Sequence, residues 1–171
     1  TLLKNVNKII NKNILDKKKY TFIDFGSGCG DLVKQIHEDY YTTIGIEIEK
    51  EAHKKAISNC INNSTIILKN IPMQNYNFQD VPTILYMYDP LFELNDCNEI
   101  DTIYNNVFTN YDKIKNTKYI LYVKANQIHY SYQPNCKKNI FNIFNNHGYE
   151  LIDKLSSNLW PLTRYMYLYK K

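Results

Sequence analysis

Phe22-Ile-Asp-Phe-Gly-Ser-Gly-Cys-Gly30 holds three of the chain's five glycines within five residues. Its first half, with Tyr20 and Thr21 before it, is a short β-rich apolar run, and its second half is a glycine cluster, the pattern of a strand entering a tight loop. Without a Cβ, the main chain there can turn sharply and can touch a ligand. Just beyond, Leu32, Val33 and Ile36 repeat at helical spacing, so the local reading is strand, glycine loop, helix. A second strand is predicted over Thr42 to Glu47, inside Ile44-Gly-Ile-Glu-Ile-Glu49. It closes on Glu47, about 20 residues past the loop, where an acid can accept hydrogen bonds from both hydroxyls of a ribose.

The rest of the chain continues the alternation. A helix is predicted from about Glu49 to Ile61, a strand over Thr65 to Lys69, a polar loop over Asn70 to Asp80 and a strand over Thr83 to Tyr88, stopped by Pro90. Then come a helix around Glu99 to Ile114, a strand over Tyr119 to Val123, a helix near Lys137 to Asn146, and two strands near Tyr149 to Lys154 and Arg164 to Lys170. Strands alternating with helices imply right-handed crossovers and a parallel sheet covered on both faces. The last two strands have no helix between them, so one is expected to run antiparallel, at an edge. Leu3, Val6, Ile10 and Ile14 recur at three- and four-residue steps with Lys4, Lys8 and Lys12 on another face, an amphipathic helix over residues 2–15. This N-terminal segment, 1–18, is expected to pack on the remainder of one domain spanning 1–171.

A chain of 171 residues buries a sizeable core but leaves no room for a separate substrate domain. No apolar run approaches the roughly 20 residues that cross a bilayer, and the lysine-studded N-terminus lacks a signal-peptide core. No membrane partner is expected, and the protein reads as soluble and intracellular, cytoplasmic or nuclear. Cys29, Cys60, Cys97 and Cys136 are scattered, with neither a Cys-x-x-Cys pair nor histidines at zinc spacing, so no metal site is predicted. The net charge of +4 comes almost wholly from lysine, Arg164 being the sole arginine. Lysine, asparagine, isoleucine and tyrosine share AT-rich codons, so that charge does not by itself call for a nucleic-acid partner.

Two ligand classes fit a glycine loop followed by an acid. A dinucleotide fingerprint is Gly-x-Gly-x-x-Gly, whereas this loop is Gly-x-Gly-x-Gly with Asp31 at the third glycine's position, adding charge near a pyrophosphate. A nucleoside sulfonium is favoured over a dinucleotide on that ground, and a tight turn with no ligand is the structural alternative. Phe22–Gly30 together with Ile44–Glu49 resembles the first two cofactor motifs of class I S-adenosylmethionine-dependent methyltransferases. The order of elements is similar to that family over essentially the whole chain. The resemblance implies a Rossmann-like three-layer α/β/α sandwich, a mostly parallel seven-stranded sheet with one antiparallel strand near the C-terminus, and S-adenosyl-L-methionine as cofactor. It further implies that Asp24, Gly26, Ser27, Gly28 and Gly30 surround the cofactor's methionine part, that Glu47 holds the ribose and that Asn70 faces adenine.

The fourth strand ends in Tyr86-Met-Tyr-Asp-Pro-Leu-Phe92, at the rim where the first strand delivers the cofactor. Methyl transfer is an in-line displacement that requires a positioned lone pair and exclusion of water. Asp89 can accept a hydrogen bond from an acceptor nitrogen while Tyr88 and Phe92 supply aromatic walls. Asp89-Pro-Leu-Phe92 is similar to the Asp-Pro-Pro-Tyr motif of amino-group nucleic-acid methyltransferases, with Leu91 in place of the second proline. The glycine loop, Gly45-Ile-Glu47 and the acid near an aromatic also resemble the non-SET histone-lysine methyltransferases. The expected activity is methyl transfer to nitrogen, protein lysine ahead of a nucleobase. A macromolecular acceptor, protein or nucleic acid, is expected ahead of a small molecule. A ribose methyltransferase using Asp89 and Lys124, and a catalytically silent cofactor- or nucleic-acid-binding module, are the alternatives. Gln127 to Gln133, with His129 and Tyr132, forms a candidate lip over the acceptor, and Lys4, Lys8, Lys12 and Lys17 to Lys19 a candidate phosphate-contacting face.

Overall fold

In the computed structural model, residues 2–61, 63–91, 94, 96–109, 114–126, 138–159 and 162–171 are described. The strands are β1 (Thr21–Phe25), β2 (Thr42–Ile46), β3 (Ile66–Lys69), β4 (Thr83–Tyr88), β5 (Thr117–Asn126), β6 (Glu150–Leu159) and β7 (Leu162–Lys170). The helices are α1 (Leu2–Asn13), α2 (Asp31–Ile36), α3 (Lys50–Asn59), α4 (Cys97–Phe108) and α5 (Lys138–Asn146).

The strands form one sheet in the order β3-β2-β1-β4-β5-β7-β6. β1 pairs in parallel with β2 and with β4, which places Asp24 between Gly45 and Tyr86. Every residue of β1 is buried, as expected for a strand covered on both faces. Its alternation sends Ile23 and Phe25 into one core with Leu85, Met87, Tyr122 and the apolar faces of α4 and α5. Phe22 points the other way, into a second core with Tyr86, Leu121 and Val123. There α1 contributes Val6, Ile9 and Ile10, each worth about 1.5–3 kcal/mol when removed from water.

One expectation is corrected. The antiparallel strand is β7, but it lies inside the sheet, between β5 and β6, and not at an edge. β6 takes the edge, because β7 runs antiparallel to both neighbours and hydrogen-bonds on each side. The pairing also lengthens β5 and β6 beyond their apolar stretches, through Lys124 to Asn126 and through Ser156 to Leu159. Helix boundaries shift as well. α1 ends at Asn13, with Ile14 buried beyond it, and α4 begins at Cys97, because the Asp96 side chain caps it by accepting from the Asn98 amide at 2.8 Å. Among the described residues no helix is long and apolar enough to cross a membrane.

Candidate functional site

β1 and β4 are neighbours in space but lead to crossovers on opposite sides, so a crevice opens between their carboxyl ends, where ligands bind in open α/β sheets. A cavity of about 660 Å³ lies there, within the range usual for small-molecule sites. Gly26, Gly28, Glu47, Tyr88, Asp89 and Pro90 line it together.

Gly28 has φ +54°, and nothing in the protein lies within 4 Å of where its Cβ would be. A side chain there would therefore enter open space at the cavity while straining the backbone. The Gly28 amide donates to Glu47 Oε2 at 2.8 Å, and the Glu49 amide donates to Oε1 at 2.8 Å. Glu47 thus faces the glycine loop, and two main-chain N–H groups hold its carboxylate in place. Each oxygen keeps a further lone pair, since a carboxylate offers about four acceptor sites.

The other predicted residues each have close contacts within the protein, and Gly26 also lines the cavity. A Cβ on Gly26 would stand 2.9 Å from Pro90 Cβ, so bare main chain here lets the ends of β1 and β4 meet. Gly30 packs against α3, with Ala56 Cβ 3.1 Å and Cys60 Sγ 3.2 Å from where a side chain would begin. Ser27 covers Gly45, and its buried Oγ has no partner among the described residues. Asp24 is buried below the loop; burial, reinforced by the Glu47 carboxylate, pushes its carboxyl up to about 8, so it carries its proton at neutral pH. Asn70 donates from Nδ2 to the carbonyls of Glu47 at 2.8 Å and Ile48 at 3.0 Å, latching β3 to the turn after β2. The residues at the cavity beyond β3 are Ile71, Pro72, Met73 and Gln74.

At the end of β4, Asp89 is 5% exposed and has φ +42°. That conformation is unusual for a residue with a side chain and more so before proline, costing on the order of 1–3 kcal/mol, strain typical of functional sites. The Tyr122 hydroxyl of β5 donates to Asp89 Oδ1 at 3.3 Å. Tyr88 accepts from Arg164 Nε at 2.9 Å. Tyr122 and Arg164 reach the rim through strand register alone: Tyr122 is one of many tyrosines in the chain, and Arg164, though its sole arginine, lies two strands away on β7. Phe92, His129 and Tyr132 lie outside the described residues. Lys124 sits on β5 and does not line the cavity.

Among the described residues the cavity has a charged lining of one sign. Glu47, Glu49, Asp89 and Glu99 line it, and no lysine, arginine or histidine does among the described residues. Elsewhere, the lysines expected to contact phosphate are largely tied to the chain itself. Lys12 pairs with Asp153, Lys17 with Asp39 and Lys19 with Asp16, and Lys18 donates to the Glu38 carbonyl.

A parallel sheet reversed at β1/β4 and ending in an inserted antiparallel strand is the fold of class I S-adenosylmethionine-dependent methyltransferases, and this chain has that fold. It superimposes on the N-methyltransferase NodS from Bradyrhizobium japonicum WM9 with a TM-score of 0.72 and 8% identity, over 98% of this chain and 94% of that one. With magnesium protoporphyrin IX methyltransferase (ChlM) from Synechocystis PCC 6803, solved with bound SAH, the TM-score is 0.75 at 9% identity, over 99% and 82%. A SAM-dependent methyltransferase from Methanosarcina mazei gives 0.71 at 16% identity, over 95% and 96%. No family model and no curated protein sequence matches the chain, so the likeness is one of fold.

Proposed function

We propose that this chain is an S-adenosylmethionine-dependent methyltransferase, acting as one catalytic unit that methylates a nitrogen acceptor, protein lysine ahead of a nucleobase. The observation that carries the reading is the pairing of open space at Gly28 with the Glu47 carboxylate, in a cavity whose charged lining is acidic among the described residues. An acid-lined site attracts a cation such as a sulfonium or an entering ammonium and repels pyrophosphate, which disfavours a dinucleotide.

The residues fit the cofactor that the fold implies. Gly28 offers a bare cradle, the remaining lone pairs of Glu47 suit ribose hydroxyls, and Ile48, Ile71 and Met73 offer apolar walls for a purine. When bound, S-adenosylmethionine supplies an electrophilic methyl group. Once the acceptor amine has released its extra proton to solvent, Asp89, held by Tyr122, accepts one of its N–H bonds and so orients the freed nitrogen lone pair towards the methyl group. Tyr88 and Pro90 narrow the approach and exclude water. Asp24, Gly30 and Asn70 act from behind, shaping the loop and the turn that hold Gly28 and Glu47.

Radiolabelled methyl transfer, screened over histones, ribosomal proteins, RNA and DNA, tests this. Label in protein lysine supports the reading. Label in nucleic acid moves the acceptor assignment, and S-adenosylhomocysteine binding without any transfer would make the chain a silent binding module.

A further inference from the structure

Arg164 in β7 is the chain's sole arginine; every other Lys/Arg position holds lysine. It reaches the cavity wall from two strands away. Tyr88 of β4 is paired with Val123 of β5, and Arg164 with Ala125 of the same strand, so its side chain crosses β5 diagonally. Its Nε–H donates to the Tyr88 phenolic oxygen at 2.9 Å, and its Cζ stands 5.7 Å from the Tyr88 ring centroid.

Both contacts converge on a residue that lines the cavity beside Asp89. A flat guanidinium can donate from Nε while lying near an aromatic face; a lysine ammonium is a point charge on a flexible stem and cannot reproduce both contacts. Because the phenol oxygen accepts from Arg164, the Tyr88 O–H proton is turned away from the guanidinium and can be donated elsewhere. Below, on the same face of β4, Tyr86 is buried with a hydroxyl that has no partner among the described residues, so Tyr88 is the phenol that Arg164 secures.

We propose, building on the methyltransferase reading above, that Arg164 is a positioning residue of the acceptor wall. It locks the Tyr88 ring so that the wall offers the acceptor an aromatic face and a phenolic donor next to the Asp89 carboxylate. The C-terminal hairpin is thereby part of the acceptor site, contributing through Tyr88.

The test uses the full chain and the variants Arg164→Met, Arg164→Lys, Tyr88→Leu and the double variant Arg164→Met/Tyr88→Leu. Tyrosine-ring NMR needs no acceptor: the signal lost in Tyr88→Leu is that of Tyr88, and it should shift and sharpen in both Arg164 variants. Against the acceptor found by the radiolabel screen, Arg164→Met should raise KM about tenfold with a smaller change in kcat, the size of one charge-assisted hydrogen bond. Arg164→Lys should not restore it, and Arg164→Met should add nothing in the Tyr88→Leu background. S-adenosylhomocysteine affinity should stay within about twofold of wild type in the Arg164 variants, because Arg164 touches none of the cofactor-side groups. A Tyr88 signal unmoved by Arg164→Met, or additive effects of the two substitutions, overturns the proposal. Failure of the wild type to bind S-adenosylhomocysteine would instead sink the methyltransferase reading, leaving the NMR result to decide the Arg164–Tyr88 linkage on its own.

Discussion

The Gly28 amide and the Glu47 carboxylate, nineteen residues apart, meet at 2.8 Å across the ends of two adjacent parallel strands. That bond ties the glycine loop after β1 to the residue after β2, so the bare main chain and the acid form one rigid rim. The proposed cofactor site depends on this rim.

Gly28→Val places a branched side chain in open space beside the cavity, at φ +54°. We expect S-adenosylhomocysteine affinity to fall at least about a hundredfold, while stability drops by only the ~1–2 kcal/mol of a left-handed residue. Calorimetric titration and a thermal melt on the same sample separate the two effects; unchanged affinity would mean that the ligand does not approach residue 28.

Glu47→Gln keeps one acceptor oxygen but loses the charge and one of the two amide bonds. Loss of charge-assisted hydrogen bonds of about 1.5–3 kcal/mol predicts roughly ten- to a hundredfold weaker cofactor binding. If the variant binds S-adenosylhomocysteine as tightly as wild type, Glu47 is only a loop fastener.

Asp24 supplies a pH prediction. Its folded value of about 8 lies above the ordinary 3.8, so between those pH values the unfolded chain has released a proton that the native chain keeps. Stability from this group is therefore greatest at low pH and falls by about 1.4 kcal/mol per pH unit as pH rises, levelling off above the folded value. Asp24→Asn removes the dependence and should melt several degrees above wild type at pH 7, with the gap closing towards pH 4. Equal melting temperatures at both pH values would contradict the buried, protonated carboxyl.

Asp89→Asn is the cleaner probe of the acceptor rim, because asparagine tolerates φ +42° better than alanine does. Cofactor affinity should hold while turnover falls by roughly two orders of magnitude, as for other positioned polar groups. Tyr122→Phe, which deletes the donor to Asp89, should cost turnover about tenfold and stability only about 0.5–1.5 kcal/mol. Full activity in both variants would reduce the Asp89–Pro90 turn to a strand terminator.

The parts of the fold legible in the sequence are those specified locally. Phe22 to Phe25 alternate between two cores as an all-buried strand must, and three glycines ending that strand can only be a loop. What was hidden depends on partners distant in sequence. Nothing in Leu162 to Lys170 says that it will insert between β5 and β6, since a hairpin strand reads the same at an edge or inside a sheet. Ser156 and Ser157 carry no strand propensity and become strand because β7 pairs with them. The site follows the same division. Gly28, Glu47 and Asp89 announce themselves by type and spacing, but Tyr122 and Arg164 arrive through register alone. Asn70 Nδ2 is engaged by two backbone carbonyls, a local preference of asparagine in turns that its place after β3 does not reveal.

The sharpest check on the Gly28–Glu47 cradle is titration calorimetry of the wild-type chain with S-adenosylhomocysteine, beside the Gly28→Val variant. We expect saturable one-to-one binding well below millimolar ligand for the wild type and binding weaker by at least about a hundredfold for the variant. Absence of heat at millimolar ligand in the wild type, or equal binding by both proteins, would contradict the cradle.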